Sequence, residues 1–100
     1  MDHRLGQRVN VTLPVQLRFQ DQTTNSGFTV NVSRGGMFVE TTNSAEANGC
    51  VDARILLETP EGGQDIQLAA LVVHRVGKGF GLMFRDPDAP AGQTLDTLLF

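Results

Sequence analysis

Two clusters in this 100-residue chain hold the residue types best suited to chemistry: Arg4 with Arg8, and Asn31-Val-Ser-Arg-Gly-Gly36. An arginine's planar fork pairs bidentately with phosphates and base edges, which a lysine ammonium does less well. Asn31 and Ser33 stand two apart, so on an extended segment both project from one face, opposite Val30 and Val32. Gly35 and Gly36 can take backbone angles closed to other residues and let a ligand approach the main chain. Arg34, between Ser33 and Gly35, either assists an anion or is simply solvated. Each cluster alone has an ordinary reading. Asn, Ser and Gly are the usual residues of a tight turn, and an Arg-x-x-x-Arg pair arises readily by chance in a chain with seven arginines.

The surrounding pattern is that of short strands. Val9 to Gln20 alternates without a break, with Val9, Val11, Leu13, Val15, Leu17 and Phe19 on one face. Pro14 cannot donate to a ladder, which places this strand at an edge or at a bulge there. Asp21 to Gly27 reads as a polar hairpin loop. Phe28, Val30 and Val32 then lead into the Asn31–Gly36 stretch, and Met37, Val39 and Thr41 lead out of it. Thr42 to Gly49 is a polar loop ending in Asn-Gly. Val51, Ala53, Ile55 and Leu57 alternate inward, and Pro60 to Gly63 turns the chain. Asp65 to Val76 is a long strand, apolar on both faces from Leu68 to Val73, which predicts a strand that is central or covered on its second side. Gly77 to Gly79 turns it into Phe80, Leu82 and Phe84, with Gly81 leaving room across the pair. After Arg85 the period changes: Asp88 as cap, Pro90 in the first turn and Leu95, Leu98 and Leu99 at helical spacing predict a short C-terminal helix. Close-spaced strands with glycine turns and no βαβ alternation predict a small antiparallel barrel.

Composition narrows the function. The length and 40% hydrophobic content support one domain with one core. No run approaches the ~20 apolar residues of a membrane span, and the first twenty residues lack a signal-peptide core, so the chain reads as cytoplasmic. Cys50 is the single cysteine, which excludes an internal disulfide. The net charge of −3 argues against a nucleic-acid polymer as partner. Its distribution is uneven: residues 1–34 carry a net +2 and residues 35–100 a net −5, so the cationic end is the N-terminal third. With only His3 and His74, in unlike contexts, no catalytic triad, Cys–His pair or metal set assembles, so no enzyme is expected. His74 reads as a barrel-wall residue and His3 as a solvated terminal one.

Taken together and in order, Arg4-Leu-Gly-Gln-Arg8, the Leu-Pro-Val at residues 13–15 and Asn31-Val-Ser-Arg-Gly-Gly36 resemble the PilZ domain family. That family's two signatures are Arg-x-x-x-Arg near the N-terminus and Asp/Asn-x-Ser-x-x-Gly after the next strand. Arg4, Arg8, Asn31, Ser33 and Gly36 match every defined position, and Gly77 to Phe84 is similar to the family's glycine-rich last barrel strand. The resemblance implies a six-stranded antiparallel β-barrel with a short C-terminal helix, which binds cyclic di-GMP, needs no cofactor, performs no catalysis and signals to a partner protein. By position, Arg4 and Arg8 contact the ligand's phosphates and guanine edges, Asn31 and Ser33 hydrogen-bond a guanine, and Gly36 keeps the turn open. The expected division is a flexible ligand-binding segment, residues 1–8, that folds onto a barrel domain, residues 9–100, and so changes the surface a partner meets. The alternative is a PilZ-like interaction adaptor that binds no nucleotide. An unrelated oligonucleotide-binding barrel fits less well, because such sites use stacking aromatics in a basic groove and this chain has no Trp or Tyr.

Overall fold

A computed structural model describes residues 8–41, 49–60, 62–86 and 89–99. Among these residues seven strands and one helix follow in order: β1 (Arg8–Asn10), β2 (Pro14–Phe19), β3 (Thr24–Ser33), β4 (Gly36–Thr41), β5 (Cys50–Thr59), β6 (Gly62–Val76), β7 (Gly79–Phe84) and α1 (Pro90–Leu99). All pairings are antiparallel. The order β3-β2-β5-β6-β7-β4 closes on itself through the β3–β4 pair, giving a six-stranded barrel with β1 as an extra strand on β3. The predicted barrel and C-terminal helix are both present.

Strict alternation builds the core. Val15, Leu17 and Phe19 from β2, Val51, Ala53, Ile55 and Leu57 from β5, Ile66, Leu68 and Ala70 from β6, and Phe80, Leu82 and Phe84 from β7 are all buried inward. Each large side chain so removed from water contributes about 1.5–3 kcal/mol before entropy is counted. Leu95 of α1 joins the same cluster, with Ala91 and Leu99 packed against it, so the helix seals the core. Pro90 opens the helix as expected; Asp88, the expected cap, lies outside the described residues, as does most of the Thr42–Gly49 loop.

Three expectations need correction. The Val9–Gln20 segment is not one strand: it is interrupted at Val11–Leu13, just before Pro14, although its burial alternation continues through the gap. β1 and β2 both pair with β3, but with registers offset by one residue, Asn10 facing Asn31 and Pro14 facing Phe28. The buried Thr29 bridges the offset. Its hydroxyl donates to the Val11 carbonyl at 2.5 Å and accepts from the Leu13 amide at 2.8 Å. Thr29→Val keeps the shape and removes both bonds, leaving partly buried backbone groups unmet; a loss of about 2 kcal/mol in urea unfolding is expected.

The second correction concerns Asp21 to Gly27, where only a tight turn interrupts the hairpin and β3 begins at Thr24. Asp21 accepts from the Thr23 hydroxyl at 2.6 Å and the Thr23 amide at 3.0 Å. These bonds favour the ionised carboxylate and lower its pKa from 3.8. A depressed carboxylate stabilises the fold above its unfolded pKa, and that contribution disappears as pH falls through the lower folded value. Asp21→Asn is therefore expected to flatten this part of the acid limb of a stability-versus-pH curve measured below pH ~4.

Third, a β-bulge between Thr29 and Asn31 breaks the period of β3. Phe28 and Val30 face outward instead of joining Val32 in the core, and Thr29 takes the inward place. Of the two alternatives for β6 the first holds: it is central, paired with β5 and β7, while its second face stays open, with Ala69 and Val73 exposed and Leu71 half-buried.

Candidate functional site

The C-terminal half of β3 gathers the predicted residues. On one edge it pairs with β1, Arg8 opposite Ser33 and Asn10 opposite Asn31; on the other it turns through Arg34 and Gly35 into β4. Arg8 is thus the first residue of the sheet, whereas the expected division put it in the segment ahead of the barrel. Arg4, with the rest of residues 1–7, lies outside the described residues.

The side chains of Arg8 and Asn31, twenty-three positions apart in sequence, meet directly: Arg8 Nη1 donates to Asn31 Oδ1 at 2.6 Å on an exposed surface. This short contact leaves the Asn31 amide NH₂ and the other guanidinium donors of Arg8 for further bonds. Ser33 is only 5% exposed, and its hydroxyl donates to the Gly36 carbonyl at 3.2 Å across the turn. In this geometry the hydroxyl braces the turn from beneath.

The two glycines differ from the expectation and from each other. Neither has a positive φ, so unusual backbone angles are not what glycine supplies here. A Cβ on Gly36 would collide with the Leu82 carbonyl of β7, so glycine permits the close β4–β7 approach. A Cβ on Gly35 would meet nothing within 4 Å, which leaves open space above the turn. The turn is nonetheless tied down, because the Phe84 amide donates to the Gly35 carbonyl at 2.9 Å. Arg34, partly buried, stands at the apex of this fixed turn.

Sequence reading missed what lies beside the site. The row that contains Asn31 continues across the outer wall through Phe38 of β4 and Gly81 of β7 to His74 of β6. The Phe38 ring lies against Gly79, and a Cβ on Gly81 would stand 3.1 Å from the His74 Cβ, so glycine makes room there. Gly81 was legible as a space-maker; the row was not, because it joins four strands of different sequence position. Among the described residues, no three His, Cys, Asp or Glu side chains come together to hold a metal ion, and no helix is long and apolar enough to cross a membrane.

The chain thus forms a closed antiparallel barrel in which Arg8 of β1 and Asn31 of β3 meet beside the Arg34–Gly35 turn. The PilZ domain family model matches residues 2–100, and the chain belongs to that family. Three solved structures share its fold. The PilZ domain of CeSA from a cellulose-synthesizing bacterium superposes with a TM-score of 0.72 at 19% identity, covering 94% of this chain and 95% of that one. The inhibitor of motility MotI/DgrA of Bacillus subtilis gives 0.74 at 20% identity, covering 92% of this chain and 46% of that one. The PilZ domain of YcgR from Escherichia coli, a structure with c-di-GMP, gives 0.68 at 16% identity, covering 94% and 86%. No curated protein matches the sequence.

Proposed function

We propose that this protein is a cytoplasmic cyclic di-GMP receptor, not an enzyme, that reports ligand occupancy to a partner protein. The observation that carries the reading is the Arg8–Asn31 hydrogen bond, which brings one residue from each family signature together at the end of β3. Membership of a c-di-GMP receptor family and the shared fold of the c-di-GMP-containing YcgR domain support it.

In this reading Arg8 and Arg34 offer guanidinium forks to the phosphates and to guanine O6 and N7, where a good bidentate pair discriminates by ~1–3 kcal/mol. Asn31 adds its amide to a guanine edge. Ser33 acts mainly by holding the turn through Gly36, and Gly35 lets the ligand close on the main chain. Arg4 completes the grip when residues 1–7 order over the ligand. That ordering costs conformational entropy and presents a new surface.

Calorimetric titration with cyclic di-GMP, with GMP as control, tests this. The expected result is micromolar or tighter binding of the cyclic dinucleotide and far weaker binding of GMP. Affinity is also expected to fall as salt rises, since phosphate–arginine contacts are screened; a flat salt dependence contradicts the phosphate role. The second reading is a nucleotide-free adaptor, favoured by the burial of Ser33. It predicts no heat with either nucleotide.

A further inference from the structure

Single exposed apolar residues are ordinary on a protein surface, but a cluster on one face is not. Six large hydrophobic side chains are exposed among the described residues, and five of them lie on the wall formed by β3, β4, β7 and the end of β6: Phe28 (55%), Val30 (38%), Val73 (58%), Val76 (54%) and Met83 (47%). Cross-strand pairing places them on one face, spread over four strands. Phe28 faces Glu40, Glu40 faces Gly79 and Gly79 faces Val76 in one row. The half-buried Phe38 lies in the next row, its ring against Gly79.

Two bulges create this wall. One lies between Thr29 and Asn31 on β3, the other between Val72 and His74 on β6, and they flank the same row, Asn31–Phe38–Gly81–His74. Each leaves a valine, Val30 or Val73, as the extra residue without a cross-strand partner, exposed to solvent. Bulges of this kind re-aim side chains at functional edges. An apolar wall made by two irregularities is not an accident of composition.

Charge identifies the occupant. In a protein of net charge −3, cations stand at both ends of the wall, Arg34 and Arg85 beside the β3–β4 turn and Arg75 and Lys78 at the β6–β7 turn, against the single carboxylate of Glu40 within its rows. Two such walls repel each other, so a second copy is a poor fit. We propose that this wall docks a protein segment whose apolar side chains are flanked by carboxylates. The wall shares only Arg34 with the proposed nucleotide site, and the inference does not need that site to take a nucleotide.

The test is selection of a random-peptide display library on the immobilised, nucleotide-free protein, followed by amide chemical-shift mapping of the enriched peptides. Enriched sequences are expected to combine Asp or Glu with large apolar residues and to shift Val30, Phe38, Val73 and Met83. Val73→Asp is expected to weaken them at least about tenfold through like charge and desolvation, while Leu98→Asp, off the wall, leaves them unchanged. Should Val73→Asp disturb the melting transition, Met83→Gln makes the same comparison. Failure to enrich any peptide, peptides that are basic or map elsewhere, or indifference to both wall variants would overturn the proposal. So would a dimer in sedimentation that Val73→Asp dissolves, which would assign the wall to a second copy.

Discussion

Gly36→Ala is expected to lower the thermal midpoint of this domain by roughly 10–20 °C, while Gly35→Ala leaves it within a few degrees. The added methyl of the first variant collides with the Leu82 backbone carbonyl, which cannot move without prising β4 from β7. Overpacking against backbone costs about 1–3 kcal/mol or more, and in a domain of this size each kcal/mol shifts the midpoint by about 4–8 °C. The methyl of Gly35→Ala meets nothing within 4 Å in the free protein. The same methyl lies where a ligand would approach the main chain, so Gly35→Ala should reduce cyclic di-GMP affinity at unchanged stability. Differential scanning calorimetry beside a binding titration separates the two glycines. Equal stability losses in both variants would contradict the geometric distinction.

The largest functional effect is expected from Arg8→Ala: a loss of roughly 30-fold or more in cyclic di-GMP affinity, the equivalent of one bidentate arginine contact of ~2–3 kcal/mol. Arg8 is exposed at the start of β1 and contributes nothing to the core, so its removal should leave the melting transition nearly unchanged. Ser33→Ala should behave differently. It removes the bond that braces the Arg34–Gly35 turn onto the Gly36 carbonyl, so a smaller loss of affinity should come with a loss of stability of about 1 kcal/mol. Calorimetric titration of both variants checks this contrast, and an Arg8→Ala protein that binds as well as the parent contradicts it.

The fold was largely legible because period-two burial survives even where the ladder does not. Val9, Val11, Leu13 and Val15 keep their inward sense through the break at Val11–Leu13, so alternation revealed the face and concealed the gap. Bulges were beyond its reach. A bulge inserts one residue and reverses the phase downstream, and nothing local distinguishes the outward Phe28 and Val30 from the inward Val32. The apolar residues on both sides of β6 left two readings open, a central strand or a covered one, and β6 is the central one, between β5 and β7 with its outer face open. At the site, the residue types were visible and their reasons were not. Gly36 serves an approach to β7, nearly fifty residues further along the chain, and Ser33 turns its hydroxyl inward to the turn. The meeting of Arg8 with Asn31 depends on β1 pairing with the far end of β3, a register that motif spacing alone does not encode.

The central claim is that a cyclic dinucleotide seats where β1, the end of β3 and the Arg34–Gly35 turn converge. Amide and side-chain chemical-shift mapping of the labelled protein during titration with cyclic di-GMP tests it most directly. The account predicts that the largest shifts fall on the Arg8 guanidinium, the Asn31 carboxamide and the Arg34 and Gly35 amides. Shifts confined to the outer faces of β2 and β5, or no shifts at all, would contradict it.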